Sequence, residues 1–121
     1  MISFCIMGTL ASMKNRRIPT KHNPYVTVPN AACKQFERDF CQQLPKSARR
    51  AIGSLERPLR AHVVIYYPSM RNDVDAELLF DLLQKYGVVR NDRYIRDKRI
   101  IGRVDKKCPR VEIEIFEAGE S

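Results

Sequence analysis

The chain contains no apolar stretch long enough to cross a bilayer. Its N-terminal apolar run covers only residues 2–7, whereas a spanning helix needs about 20 predominantly apolar residues. No basic segment and no small-residue cleavage site accompany that run, so its pattern is not that of a secretory leader. We therefore expect a protein without a membrane span that works in the cytoplasm.

Histidine and cysteine are scarce and are not spaced as zinc ligands. The chain has two histidines and four cysteines, and no pair among them has the separation of a zinc motif. Cys33 and Cys41 fall on the apolar face of a predicted helix. We expect both to be buried free thiols in a reducing compartment.

Acidic residues are outnumbered by basic ones. The 14 aspartates and glutamates face 22 lysines and arginines, which gives a net charge of +8. Such an excess is typical of proteins that bind a polyanion, and without a membrane segment nucleic acid is favoured over a lipid surface. The alternative is a basic surface that serves solubility alone.

The 121 residues are expected to form one domain, residues 1–121, because no repeat, low-complexity tract or linker interrupts them. A buried strand at residues 2–7 is followed by a basic loop at 9–29, punctuated by prolines. Loops of that length are uncommon in compact domains unless they are functional or disordered. This segment is either a solvated loop or a basic arm that contacts phosphates.

The remaining pattern predicts two helices and three strands. Asn30 is expected to cap a helix that reaches about Leu44. The other predicted elements are a central strand at 59–67, a helix at 76–86 closed by Gly87, a loosely alternating segment at 93–104 and a half-exposed strand at 111–116. The resulting class is α+β, with a mixed sheet, two main helices and the order β-(loop)-α-β-α-β-β.

Asp73 and Asp75 lie between the central strand and the second helix. Their period-2 spacing places both side chains on one face if the backbone is extended. Asp92 follows the helix and converges with them if the chain returns toward its start. Clustered carboxylates repel each other unless a cation relieves the repulsion, and carboxylate oxygens suit Mg²⁺. Such an ion would let a phosphodiester approach the acids and would activate a water molecule.

The ordinary alternative is a helix cap. An Asp-x-Asp before a helix often serves only to satisfy the first backbone N–H groups and the helix dipole. Composition and spacing alone therefore predict a basic α+β domain. They leave open whether its acidic pair is the metal site of a Mg²⁺-dependent nuclease or only a helix cap.

Three segments in register resemble the RusA-type Holliday-junction resolvases of bacteria and their prophages. They are residues 8–18, 66–75 and 87–95. In order they carry a Lys-Asn followed by basic residues after the first strand, an Asp-x-Asp start to a helix, and a Gly-Val-Val helix exit before an aspartate. The resemblance covers nearly the whole chain.

The resemblance implies a homodimeric endonuclease that uses Mg²⁺, with Mn²⁺ as a substitute, and nicks four-way DNA junctions symmetrically in recombination and repair. Asp73, Asp75 and Asp92 match the catalytic, metal-binding acids. A two-fold dimer suits paired cuts on opposed strands. The positions that match or could supply DNA-binding groups are Lys14, Asn15, Arg16, Arg17, Arg71, Arg90 and Arg93.

Three positions depart from the family pattern. Ala76 replaces an asparagine, Asn91 replaces the first aspartate of an Asp-Asp pair, and Leu79 stands where the family has a lysine. Either a nearby arginine supplies the missing charge or the nuclease is altered. Glu77 is an additional candidate ligand, the alternative being a solvated helix-face glutamate.

Three functions stay open from the sequence. The first is the Mg²⁺-dependent junction endonuclease. The second is a non-catalytic binder of junctions or duplex DNA in which Asp73 and Asp75 act as caps, and it predicts binding that depends on salt but not on Mg²⁺. The third is an interaction protein that uses its basic surface on an acidic protein.

Overall fold

The computed structural model describes residues 1–13 and 31–118, together with the backbone of 17–19 and 27–29. These residues contain two α-helices and six strands. The α+β class and the order of the elements confirm the sequence prediction. The elements are β1 (Ile2–Met7), β2 (Arg17–Pro19), β3 (Thr27–Pro29), α1 (Ala31–Gln43), β4 (Leu59–Tyr67), α2 (Glu77–Lys85), β5 (Ile95–Val104) and β6 (Arg110–Glu117). Short 3-10 turns occupy Lys46–Ala48 and Asp92–Tyr94.

Four strands form one mixed sheet in the order β1-β6-β4-β5. Strands β4 and β5 are parallel, and the other two pairs are antiparallel. A parallel pair needs a crossover connection, and α2 provides it. The strand predicted to be central, β4, lies between β6 and β5. Within the segment predicted as a basic loop, β2 and β3 pair with each other as a separate antiparallel ribbon.

One face of the sheet packs against both helices. Alternate residues of β4 are buried from Leu59 to Tyr67, and they join Phe36 and Phe40 of α1 and Leu83 of α2 in a single core. The alternate residues of β4 and the residues at helical spacing on α1 and α2 therefore pack into the same core from two sides. Neither helix packs on the opposite face of the sheet.

Two expectations about burial are wrong. Strand β1 is not buried throughout, because as an edge strand it presents only alternate residues to the core. Ile2 and Ile6 are buried, and Phe4 between them is partly buried against the same core. Cys33 is buried as predicted, whereas Cys41 is exposed. Cys41 follows the buried Phe40 by one position, and a helix turns by about 100° per residue, which carries the next side chain away from the core.

A glycine in the left-handed conformation ends α2. Gly87 has a φ of 79° directly after the helix, the left-handed conformation that glycine adopts most readily at this position. The expected cap of α1, Asn30, lies outside the described residues. No helix in the described part of the chain is both long and apolar enough to span a membrane.

Candidate active site

A cleft of about 420 Å³ lies between α2 and strand β5. Its walls come from the segment before α2, the first turns of α2, the turn before β5 and β5 itself. Four carboxylates and one ammonium group line it. The lining residues are Val74, Asp75, Ala76, Glu77, Phe80, Asp81, Asp92, Lys98 and Ile100.

Asp75 is held at the start of α2 by three hydrogen bonds to its carboxylate. Oδ2 accepts from the hydroxyl of Ser12 at 3.0 Å and from the backbone N–H of Met13 at 2.9 Å. Oδ1 accepts from the backbone N–H of Glu77 at 3.0 Å. The N-cap position of α2 is held by Ala76, which makes no side-chain capping bond, so the prediction that Asp75 is the N-cap residue is wrong. Its carboxylate instead joins the segment after β1 to the residue that begins α2.

Tyr67 joins the end of β4 to this acid. Its hydroxyl oxygen accepts a 3.1 Å hydrogen bond from the backbone N–H of Asp75. Burial raises the pKa of the Tyr67 phenol, and the carboxylates of Asp75 and Asp73 raise that pKa further. Both predicted acids thus act electrostatically on one hydroxyl, which stays protonated at neutral pH. Tyr67 was not among the predicted site residues. Its position as the last residue of β4, on the face that packs against the core, is the feature that could have indicated it.

Asp92 borders the cleft from the turn before β5. Its backbone N–H donates a 3.0 Å hydrogen bond to Oε1 of Gln84 in the last turn of α2. The side chain of Asn91 accepts from the backbone N–H of Arg93 at 3.0 Å and so caps the 3-10 turn. The amide oxygen of Asn91 therefore has a structural role, which is to cap this turn.

Asp75 and Asp92 share the cleft but are tied to opposite ends of α2. The helix has nine residues, a length of about 13 Å at about 1.5 Å per residue. Asp73 is exposed and is not among the lining residues. Among the described residues, no group of three or more histidine, cysteine or acidic side chains is arranged to hold a metal ion. A common metal site of all three acids therefore stays a prediction.

Lys98 brings a positive charge into the cleft, and the sequence analysis did not identify it. The strand register places Lys98 beside Ala61 on the face of the sheet that the helices cover. Its Nζ lies 4.5 Å from the centre of the Phe80 ring, within the range of a cation–π interaction. The alternation of side chains along β5 could have placed Lys98 on the helix side of the sheet only if the pairing of β5 with β4 had been known.

Leu79 is completely buried in the core. The position at which the resemblance calls for a lysine therefore faces away from the cleft. Ala76, the residue before α2, is also largely buried, although it lines the cleft. Lys98 supplies a cation from the opposite wall of the cleft.

Gly102 allows the segment with the acidic pair to lie against β5. A Cβ atom at this position would overlap the side chain of Val74. Val74 stands between Asp73 and Asp75, so its contact with the strand helps position both. The absence of a side chain at Gly102 is a packing requirement of the cleft.

The predicted DNA-binding arginines lie at the surface. Arg71, Arg90 and Arg93 are exposed, and the guanidinium of Arg93 stacks 5.1 Å from the centre of the Tyr94 ring. Lys14, Asn15 and Arg16 lie outside the described residues, and Arg17 begins β2 with its backbone alone described. The chain enters this basic stretch directly from Met13, whose N–H is bonded to Asp75.

The donor chemistry of the cleft fits Mg²⁺. This ion takes oxygen ligands and is commonly held by one or two carboxylates together with water and substrate phosphate. Asp75 with a second acid, Asp73 or Asp92, would provide such a set. No protein-family model matches the chain, and no curated protein matches it, so the assignment of this cleft rests on its own residues.

Proposed function

We propose that the protein is a Mg²⁺-dependent endonuclease that cuts branched DNA, in the manner of the RusA-type resolvases that its sequence resembles. The observation that carries the proposal is a cleft lined by four carboxylates and Lys98 in a chain with a net charge of +8. A basic protein attracts the phosphate backbone, and an acidic cleft within it needs a cation before a phosphate can approach.

The side chains have separate roles in this proposal. Asp75, with Asp73 or Asp92, would hold the metal, which when bound activates water and stabilises charge on the phosphate. The hydrogen bonds from Ser12, Met13 and Glu77 keep the Asp75 carboxylate in one orientation. Pre-orientation of this kind lowers the cost of organising the reacting groups.

Positive groups bind the substrate around the acids. Lys98 faces the cleft and would contact a phosphate oxygen there. The exposed Arg71, Arg90 and Arg93 would bind phosphates outside the cleft, where contacts position the nucleic acid without reading its sequence. Two clefts in a homodimer would supply the paired cuts that a four-way junction requires.

A second candidate is a non-catalytic DNA binder of the same fold. It is favoured by the structural role of Asp75, whose carboxylate already accepts three hydrogen bonds from the protein. In that case the acids serve folding alone, and binding falls with salt but does not respond to Mg²⁺.

Cleavage of a labelled synthetic four-way junction tests the two candidates. The intact protein is incubated with Mg²⁺ or with EDTA, in parallel with Asp75→Asn and Asp92→Asn. Glu56→Gln is the matched control, because Glu56 is exposed in a loop outside the cleft. We expect cleavage by the intact protein and the control only with Mg²⁺, and its loss in both aspartate variants.

Binding without cleavage by the intact protein, with equal affinity in EDTA, would establish the second candidate. Thermal unfolding of each variant shows whether lost cleavage follows from lost folding. A folded Asp92→Asn variant that cuts as fast as the intact protein would remove Asp92 from the site.

A further inference from the structure

A second cavity, of about 330 Å³, lies between the loop before β4 and the start of β5. It shares no lining residue with the candidate active site. Its volume is within the range of sites for small organic ligands, about 300–1,000 Å³. We call this cavity the loop pocket, and its lining residues are Ser54, Leu55, Pro58, Arg93, Tyr94 and Arg96.

Backbone contacts hold the two walls of the loop pocket together. The N–H of Arg90 donates a 2.9 Å hydrogen bond to the carbonyl of Ile52. Gly53, with a φ of 104°, lies so close to the other wall that a Cβ atom there would be 3.2 Å from the Cβ of Tyr94. These contacts fix the shape of the pocket through the backbone, which lowers the entropy cost of binding a ligand.

Leu55 is presented to solvent at the rim of the loop pocket. The backbones of Ser54 and Arg57 exchange hydrogen bonds of 3.1 and 3.2 Å, so Leu55 and Glu56 form the tip of a tight turn. The Leu55 side chain is 83% exposed. A single exposed leucine is ordinary, but beside a pocket of a basic protein it has the position of the apolar wedge that some DNA-binding proteins insert between bases.

The other wall of the loop pocket carries a flat cationic surface. The guanidinium of Arg93 lies 5.1 Å from the centre of the Tyr94 ring and donates a 3.1 Å hydrogen bond to the Tyr94 hydroxyl. Unstacked bases are commonly bound by stacking on aromatic rings or guanidinium planes. An apolar side chain on one wall and a flat cation on the other together suit a nucleobase.

A β-bulge at the start of β5 releases Arg96 from the strand pattern. Leu59 pairs with Ile95 and the next residue of β4 pairs with Asp97, so no residue of β4 lies opposite Arg96. Bulges often re-aim a side chain next to a functional site, and Arg96 lines the loop pocket. The extra residue also shifts the alternation of side chains along the rest of β5, which is why Lys98 faces the cleft.

The loop pocket is cationic. Within the described part of the chain, neither Arg93 nor Arg96 pairs with a carboxylate, and the guanidinium of Arg96 donates a 3.4 Å hydrogen bond to the backbone carbonyl of Arg93. Asp97 and Glu117 line a neighbouring cavity and Glu56 lies at the tip of the turn, so none of these three acids lines the loop pocket. The pocket therefore attracts a phosphate group.

The loop pocket is close to the candidate active site along the chain. Asp92 lines the cleft and Tyr94 lines the pocket, and their Cα atoms are at most about 7 Å apart. A strand of duplex DNA advances about 3.4 Å per nucleotide. Nucleotides a few positions apart on one strand therefore reach both sites.

We propose that the loop pocket binds one unpaired nucleotide at the branch point of a DNA substrate. Its base lies between Leu55 and the surface formed by Arg93 and Tyr94, and its phosphate contacts Arg96. The inference rests on the proposed function for the identity of the ligand as DNA. It adds a means of selecting branched DNA, because a continuous duplex offers no unpaired base.

Two junctions that differ by one base test the loop pocket. Each is a labelled four-way junction with one extra nucleotide at the branch point, which carries adenine in one junction and is abasic in the other. Binding is measured by fluorescence anisotropy in EDTA, so that no Mg²⁺-dependent cleavage occurs. We expect the intact protein to bind the adenine-bearing junction about tenfold more tightly, the scale on which stacking of one base contributes.

Two variants separate the base contact from the phosphate contact. Leu55→Ser should remove the preference for the adenine-bearing junction. Arg96→Gln should weaken binding to both junctions by a similar factor, because both retain the phosphate. Met7→Ser is the matched control, since Met7 is an exposed apolar residue of β1 at the opposite edge of the sheet, and it should change neither affinity. Circular dichroism confirms that each variant is folded.

Four outcomes would each overturn the proposal. They are equal affinity of the intact protein for the two junctions, binding to neither junction, a Leu55→Ser variant that keeps the preference, and an Arg96→Gln variant that binds as tightly as the intact protein. Cleavage with Mg²⁺ is measured separately. Cleavage without a base preference would retain the nuclease and reject the loop pocket, whereas a base preference without cleavage would do the reverse.

Discussion

The backbone N–H of Met13 donates a 2.9 Å hydrogen bond to Oδ2 of Asp75, and the two residues are 62 positions apart in the sequence. The bond attaches the segment after β1 to the start of α2. One carboxylate thus accepts a hydrogen bond from the first residue of α2, anchors the entry to the basic segment and lines the cleft. A structural role and the proposed catalytic role coincide in Asp75, and the variants below separate them.

Asp75→Asn should reduce stability, and Asp92→Asn should not. In the intact protein, hydrogen-bond donors reach both carboxylate oxygens of Asp75. The asparagine side chain has only one acceptor oxygen, so at least one of these donors loses its partner, and an unsatisfied donor costs about 1–3 kcal/mol. The hydrogen bond of Asp92 to Gln84 uses its backbone N–H, so the amide variant should stay within about 0.5 kcal/mol. Urea unfolding measures both free energies. Equal destabilisation of the two variants would contradict the anchoring role of Asp75.

Gly102→Ala should displace the acidic segment. The new methyl group overlaps the side chain of Val74. Because Val74 is exposed and can move toward solvent, we expect a cost of about 1 kcal/mol, which is ordinary for a point substitution. Val74→Ala removes the overlapping atoms, so the double variant should be more stable than Gly102→Ala alone. A double-mutant cycle on the free energy of unfolding measures this coupling. Additive effects would show that the two residues are not in contact.

Lys98→Met should impair cleavage while the fold is retained. Methionine keeps an unbranched apolar side chain at this position, but it removes the cation from the cleft together with its contact to the Phe80 ring. Loss of one charge-stabilising group typically lowers turnover about a hundredfold. Lys98→Arg should retain much of the activity. The measurement is the single-turnover rate on a four-way junction, with Lys106→Met as the surface control. Unchanged turnover in Lys98→Met would exclude a catalytic role for Lys98.

Glu37 should make stability depend on pH at both extremes. Hydrogen bonds from Lys85 and Tyr86 lower the pKa of Glu37, so its stabilisation is complete at neutral pH and is lost as the pH falls below 4.5 through the lowered pKa. The same carboxylate raises the pKa of Tyr86 to about 12. That second contribution is present below the ordinary phenol value and is lost as the pH rises through about 12.

Glu37→Gln tests this dependence by urea unfolding at a series of pH values. At neutral pH the variant should be less stable by about 0.5–1 kcal/mol, the scale of a solvent-exposed ion pair. The difference from the intact protein should disappear in acid. Glu56→Gln, in an exposed loop, should show no such dependence. A difference between Glu37→Gln and the intact protein that stays constant with pH would contradict the assigned pKa shift.

Much of the fold could be predicted because it depends on neighbours in sequence. Strand β4 and helix α2 carry the two hydrophobic periods that distinguish strands from helices, and Gly87 ends α2 where expected. The hydrogen bond from the Glu77 N–H to the Asp75 carboxylate joins residues only two positions apart. These features need only short-range geometry, which periodicity and residue type encode directly.

The sequence by itself determined the α+β class, the order of the elements, the position of the acidic pair and the basic charge of the chain. The tertiary structure decided that Lys98 enters the cleft, that Asp75 and Asp92 are tied to opposite ends of α2, and that Leu79 faces the core. The physical reason is strand register. A shift of one residue in pairing sends every side chain of a strand to the other face, and pairing between distant segments is fixed by packing of the whole core.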